Sequence, residues 1–290
     1  MNGVLVIDKP TGRSSASIVN KVKKTLHCER AGHGGTLDPL ATGVLVVCLN
    51  AGTKIAQYLL ADDKAYEATG VLGATTDTLD RTGVVTAIKP VDVDESRLRE
   101  ALARRLGEQD QIPPMYSAIK QDGVRMYHRA RNGEEIERAP RRIRLDELTL
   151  LELDGPRFRI VVACSKGTYI RSLIADLGDE LGCGAHLAEL RRTRSGQFSI
   201  DQALTIDDLA IADIGARLIP LGRLLALPRV VANPAQVKPI RDGFQLPLAD
   251  LGGNPEPFQI LDEAGLLIAI AHGDGEKTRY DRVFPAHATS

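Results

Sequence analysis

The chain has 290 residues, 43% hydrophobic and 26% charged, with a formal net charge of −1. This is ordinary globular composition, long enough for a large core and more than one domain, and its bulk charge does not announce nucleic acid. No apolar run approaches the ~18 residues needed to span a bilayer, and "MNGVLVIDKP" has no basic region ahead of its short apolar stretch, so neither a membrane span nor a secretory leader is expected and a cytoplasmic location is.

In chain order, "VLVI" (4–7) reads as a short buried strand ended by Lys9-Pro10. A helix is predicted over 14–26, where Ile18, Val22 and Leu26 recur every four residues behind a serine N-cap. Apolar strands are predicted at 43–49 and 66–73, and an amphipathic helix at 94–106 with Leu98, Leu102 and Leu106 on one face. After "QIPPMYSA" comes a polar segment to about Arg142 with few apolar anchors, and long segments of that kind are functional or disordered. "RFRIVVACS" (157–165) alternates as a strand, and 168–181 is a helix with Ile170, Leu173, Ile174, Leu177 and Leu181 inward. Prolines in "ALPRVVANP" (226–234) mark a boundary to shorter strand pieces, including a hairpin turning at "DEAG" within 258–272. The irregular mixture of strands and helices predicts an α+β fold. Cys28, Cys48, Cys164 and Cys183 form no CxxC pair, so buried free thiols are expected, not disulfides or a zinc site.

Charge is uneven along the chain. From Lys120 to Arg144 there are eight basic and four acidic residues, and more basic residues sit at Lys21, Lys23, Lys24 and in "LRRTRSG" (190–196). From Pro228 onward there are six basic and eight acidic residues. Each run reads equally well as a solvated face; together they suggest a polyanionic ligand met by one face.

"GHGGTLDPLATGVLVV" (32–47) sets one carboxylate, Asp38, among glycines and ahead of a proline. It fits neither a dinucleotide fingerprint nor a phosphate-binding loop, and nothing beside it suggests a metal. The residue before a proline is pushed out of the helical region, and glycines at 32, 34, 35 and 43 allow close approach to a ligand. Two readings stand: a fixed carboxylate at a concave site, or a turn in which Asp38 caps its own backbone. Arg171 falls in the first turn of the 168–181 helix, where a cation opposes the helix dipole and is better tolerated with a carboxylate partner. It reads either as the partner of a carboxylate that must stay ionised or as a surface arginine.

"GHGGTLDPLATGVL" closely resembles the catalytic motif of the TruB family of pseudouridine synthases. So do "VLVIDKPTGRSSA", "QIPPMYSAIKQDGVRMYHRAR" (111–131), "CSKGTYIRSLIADLG" (164–178) and "LRRTRSG", five motifs in order over nearly the first 200 residues. The resemblance implies a mixed-sheet catalytic domain over 1–227, with an RNA-binding thumb at about 114–142, and a small β-rich domain like the PUA type over 228–290. It implies isomerisation of uridine to pseudouridine at position 55, in the T loop of tRNA, after base flipping and with no cofactor or metal. By the same resemblance Asp38 is the nucleophile, Tyr66 stacks on the base, Arg171 pairs with Asp38 and His33 fills the space of the flipped nucleotide. Tyr169 and Leu190 line the uridine pocket, and Lys9 with Pro10 supports it. Taken alone, Tyr66, Tyr169 and Leu190 would read as core residues and Lys9 as surface. Gly34 departs from the family's usual threonine, which puts a phosphate contact there in doubt. The expected partner is the T arm of tRNA, met by a monomer that needs no protein partner. Two alternatives remain open: the catalytic subunit of a guide-RNA particle, and a tRNA-folding chaperone without chemistry.

Overall fold

The computed structural model describes residues 1–59, 63–116, 138–252 and 255–284, with the backbone of 120–121 and 124–125. Most of the expected thumb, including Arg129 and Arg131, lies outside the described residues.

A large mixed sheet organises the first part of the chain. Its strands are β1 (Gly3–Lys9), β2 (Ala31–His33), β3 (Thr42–Leu49), β4 (Lys64–Leu72), β7 (Gly107–Gln111), β10 (Arg141–Asp154), β11 (Arg157–Cys164), β12 (Ala185–Ser195) and β13 (Phe198–Ser199). The order is β1-β3-β12-β4-β11-β10-β7, with β2 on β3 and β13 on β12. Smaller antiparallel pairs are β5 (Ala74–Thr76) with β6 (Val85–Ile88), and β8 (Lys120–Gln121) with β9 (Val124–Arg125).

The two halves of the large sheet differ in sequence because they differ in burial. Leu5, Ile7, Leu45 and Val47 pack under helix α1 (Ser15–Thr25), while Val4, Val6, Val44 and Val46 pack on the opposite side. Strands buried on both faces read as unbroken apolar runs, as "VLVI" and "VLVVCL" do. Strand β10 has one face in water and alternates. Helix α1 begins where Ser14 accepts the Ser17 N–H, and α3 (Glu95–Arg104) where Asp94 accepts the Arg97 N–H. A one-turn helix α2 (Ala56–Leu59) lies between β3 and β4. Helix α4 (Ile170–Leu181) buries Leu173, Ile174 and Leu177 against β4, β11 and β12, and ends at Gly182 in the left-handed conformation. The four cysteines are buried free thiols; burial lifts Cys48 to about 12 and Cys164 to about 11.

Within this sheet only β3 and β12 pair in parallel, through Arg191 with Thr42 and Arg192 with Gly43. Gly43 has φ 97, and a Cβ there would collide with the Arg192 carbonyl. Its lack of a side chain therefore serves strand packing, not approach to a ligand as its place in the glycine run suggested.

A separate four-stranded sheet follows, in the order β14 (Arg229–Val231), β15 (Phe258–Leu261), β16 (Leu267–Asp274), β17 (Lys277–Val283). Asp262 makes the expected hairpin turn, its carboxylate accepting the N–H groups of Ala264 and Leu266. Leu261, Leu267, Ile270 and Phe284 share a core with Leu221, Leu224, Val4 and Val46, so this sheet is packed on the first. The architecture is α+β.

Candidate active site

Asp38 starts a turn closed by the Ala41 N–H donating 3.1 Å to the Asp38 carbonyl, with Pro39 in the corner where its fixed φ belongs. Three supports fix that turn. The Ser15 hydroxyl bonds both the N–H and the carbonyl of Leu37, at 2.8 and 2.9 Å. Thr11 Oγ1 donates 3.0 Å to the Leu40 carbonyl. Lys9 Nζ, fully buried, donates to the carbonyls of Pro10 (2.9 Å), Pro39 (3.3 Å) and Ala41 (2.6 Å). Burial lowers Lys9 to about 8, against the attraction of Asp38.

The Asp38 side chain points to Arg171, whose Nε lies 2.9 Å from Oδ2. Arg171 is 4% exposed and its other nitrogens are held independently. Nη1 donates 3.0 Å to the Thr78 carbonyl and lies 3.7 Å from Asp80 Oδ2, and Nη2 donates 2.8 Å to the Tyr116 carbonyl. Asp80 is itself buried and fixed by the Thr82 N–H (2.9 Å) and the hydroxyls of Thr78 (2.9 Å) and Thr82 (2.6 Å). The first turn of α4 thus tolerates a cation because two carboxylates answer it. Asp38 keeps 38% of its side-chain surface open, while protein crowds the carboxylate from the other sides. That burial pushes its pKa up from the ordinary value; Arg171 pulls it back, and Asp80 adds to the rise.

The pair sits in the wall of a cavity of about 310 Å³ lined by residues 35–38, Lys64, Tyr66, residues 167–171, Leu190 and Arg192. Asp38, Tyr66, Tyr169, Arg171 and Leu190 therefore meet at one cavity. Tyr169, at the helix cap, has its main-chain N–H and carbonyl both bonded by the Gln111 side chain, at 2.8 and 3.0 Å. Tyr66 is 7% exposed; burial raises its pKa and Arg192 is the strongest influence against that rise. Lys9 lies behind the Asp38 turn and not in the cavity wall. His33, at the end of β2, is also outside that wall. Its Nδ1 is buried without a hydrogen-bond partner, and burial lowers its pKa. Of the four glycines read as ligand approach points, only Gly35 lines the cavity. Gly34 is buried, and a Cβ there would stand 3.2 Å from Leu59 Cβ and 3.7 Å from Val46 Cβ. The position faces the interior, so the missing threonine is a matter of packing.

Two wall residues, Lys64 and Arg192, and Asp80 behind the wall escaped sequence reasoning. Asp80, in "DTLDRTG", carries only a turn signal, and Lys64 stands beside a strand start. Arg192 was one of a basic run read as a phosphate-facing patch; it is 2% exposed and faces the cavity. Its neighbour Arg191 is paired with Asp8 at 2.8 Å, so these two do not form that patch. Arg142 and Arg144 are likewise paired, with Glu108 at 3.1 Å and Asp146 at 2.6 Å. Among the described residues no cluster of His, Cys, Asp and Glu could hold a metal.

A family model for the TruB family pseudouridylate synthase N-terminal domain matches residues 23–170, and one for the tRNA pseudouridylate synthase B C-terminal domain matches 171–217. The tRNA pseudouridine synthase B of Stutzerimonas stutzeri is 51% identical over 209 residues, covering 72% of this chain and 68% of the relative. That of Bordetella avium is 50% identical over 230 residues, covering 78% and 94%. Among solved structures, a Cbf5-Nop10-Gar1 complex matches with a TM-score of 0.75 at 29% identity, covering 98% of this chain and 86% of that one.

Proposed function

The chain belongs to the TruB family of pseudouridylate synthases, and from that premise we propose that it isomerises uridine to pseudouridine at position 55 of tRNA, in the T loop. The observation that carries the reading is Asp38, held 2.9 Å from Arg171 in the wall of a cavity of about 310 Å³. The reaction breaks the bond from C1′ to N1, turns the uracil and joins C1′ to C5. It needs a nucleophile or base that stays ionised, an aromatic surface for the base and a dry enclosure. Asp38 supplies the first; burial raises its pKa, and Arg171 is the strongest influence favouring its ionised form. Tyr66 supplies the second, and Leu190 and Ile170 close the enclosure. Tyr169 is the second aromatic wall. A stacked uridine reaches such a cavity only by flipping out, and His33, one strand away, is the side chain assigned to the vacated space. Lys9 is assigned to support: it holds the Asp38 turn through three carbonyls.

The unit from about residue 228 is assigned to RNA binding of the PUA type, and the catalytic unit to 1–227 with its thumb at about 114–142. A monomer acting without a protein partner in the cytoplasm completes the proposal. Among the described residues no helix is long and apolar enough to cross a membrane.

A second reading, the catalytic subunit of a guide-RNA particle, has the fold likeness to the Cbf5 complex in its favour. One experiment separates the readings. The purified protein alone is incubated with an unmodified tRNA transcript carrying tritium at uridine C5. Stoichiometric release of tritium to water without guide RNA or added metal is expected. Release only after a guide RNA is added would favour the particle, and binding without release would favour a chaperone.

A further inference from the structure

Among the described residues Arg192 is the largest fully buried side chain, and it faces the active cavity. Its register is specific. On the adjacent antiparallel strands β12 and β4, Arg192 stands directly opposite Tyr66. Residues opposite each other in an antiparallel pair have Cβ atoms roughly 4.5–5.5 Å apart on the same face of the sheet. The guanidinium is held by three main-chain oxygens: Nε donates 2.7 Å to Val44, Nη2 donates 3.2 Å to Gly35 and Nη1 reaches Thr36 at 3.5 Å. No carboxylate takes up its charge in these bonds. A buried cation whose partners are neutral retains its positive potential for whatever lies beside it, and what lies beside it is the Tyr66 phenol.

We propose that Arg192 is a positioning residue for the proton-transfer step, fixing the Tyr66 hydroxyl and offsetting the negative charge of its phenolate. The inference rests on the pseudouridine synthase reading above and deepens it. After C1′ has joined C5, that carbon still carries its hydrogen. The Tyr66 phenolate takes this proton; the C5–H electron pair forms the C5=C6 double bond, and the C6=N1 pair moves to N1. Nitrogen N1 then takes a proton from water, and the phenol returns its proton to solvent, so the uracil is isomerised with no net gain or loss. Burial alone works against this use of Tyr66 because it penalises the phenolate, and Arg192 provides the main opposing influence. Arg192 also bonds the Gly35 and Thr36 carbonyls, so it ties the loop carrying Asp38 to β12, the strand paired with the one carrying Tyr66.

The test uses the full-length protein and a tRNA transcript deuterated at uridine C5, under single-turnover conditions. In Arg192→Met the rate should fall by at least an order of magnitude, RNA affinity should stay within a few-fold, and the C5 deuterium isotope effect should rise above that of wild type. The rate should also recover as pH rises, because hydroxide restores the phenolate. Arg192→Lys, which keeps the charge without the three-carbonyl reach, should regain part of the rate with a smaller isotope effect than the methionine variant. It also serves as the probe if Arg192→Met does not fold. A slow variant with an isotope effect and pH profile unchanged from wild type would overturn the proposal and leave Arg192 as a prop for the loop. An unchanged rate would overturn it too. Tritium release by wild type reports on the synthase reading separately, so failure of one is not mistaken for failure of the other.

Discussion

Asp38, the assigned nucleophile, sits where burial of its carboxylate works against stability. Burial holds its folded-state pKa above the unfolded one. The folded protein then binds more protons than the unfolded chain between those two values, so stability falls as pH rises through that window and stays lower above it. Asp38→Asn removes this penalty. It leaves Arg171 with Asp80 and the Thr78 and Tyr116 carbonyls. The expected outcome is a Tm at neutral pH equal to or above that of wild type, tRNA affinity within a few-fold and no tritium release. A clear loss of Tm would show that Arg171 depends on Asp38, and measurable turnover would remove Asp38 from its assigned role. Arg171→Ala acts in the opposite direction. It strands two carboxylates in one place, which costs roughly 3–5 kcal/mol when one member of a buried pair is removed. It also takes away the chief influence holding Asp38 down. The acid limb of its pH-rate profile should therefore move to higher pH. Arg171→Lys should recover little, because one ammonium cannot span Asp38, Asp80 and two carbonyls at once. A profile unshifted in both variants would show that Arg171 does not set the ionisation of Asp38.

Elements were legible wherever the local signal and the packing agree. Helix α1 carries its serine cap and four-residue apolar spacing, and β3 is buried on both faces and reads as an apolar run. Boundaries moved by a residue or two: α4 starts at Ile170, because residue 169 is its cap, and α3 stops at Arg104. The site was legible only through the motif resemblance, since nothing local says that Asp38 meets Arg171. Arg192 was misread because a basic run looks alike whether its members face water or a cavity; only the register opposite Tyr66 tells them apart. Lys9 was likewise unreadable as a core residue. It now yields a prediction about the Asp38 turn. Lys9→Met removes the donor of the Pro10, Pro39 and Ala41 carbonyls. Unmet buried acceptors cost about 1–3 kcal/mol, which corresponds to a Tm lower by about 2–4 °C per kcal/mol for a chain of this order of size. The folded-state pKa of about 8 lies below the ordinary 10.5. The folded state therefore binds fewer protons between those values, and wild-type stability gains with pH there. The gap between wild type and Lys9→Met should widen as pH rises from about 8; a gap that narrows would mean that the ammonium is not buried as described. Turnover should fall with the loosened turn.

At the scale of the whole molecule the difficulty is electrostatic: a chain of net charge −1 must hold a polyanion. Much of its visible basic surface is already engaged, as in Arg142 with Glu108 and Arg144 with Asp63 at 3.0 Å and Asp146. Exposed pairs of this kind are worth about 0–1 kcal/mol, so they can be exchanged for phosphates but offer little net attraction. Beside the assigned thumb and C-terminal unit, cations placed at the mouth of the cavity add to the affinity. Two exposed residues meet that condition by position: Arg13 follows the Thr11-Gly12 segment bonded to the Asp38 turn, and Lys166 precedes the Gly167-Thr168 wall. Each phosphate neutralised contributes roughly 0.7–0.9 to the slope of log affinity against log salt. Replacing both by alanine should weaken tRNA binding, flatten that slope by roughly that amount for each phosphate no longer neutralised, and leave the single-turnover rate at saturating tRNA unchanged. The measurement is a filter-binding titration at several salt concentrations, run beside single-turnover tritium release. A weakened variant with an unchanged slope would mean that the two residues act through packing, and an unaltered affinity would move the phosphate footprint away from the cavity mouth.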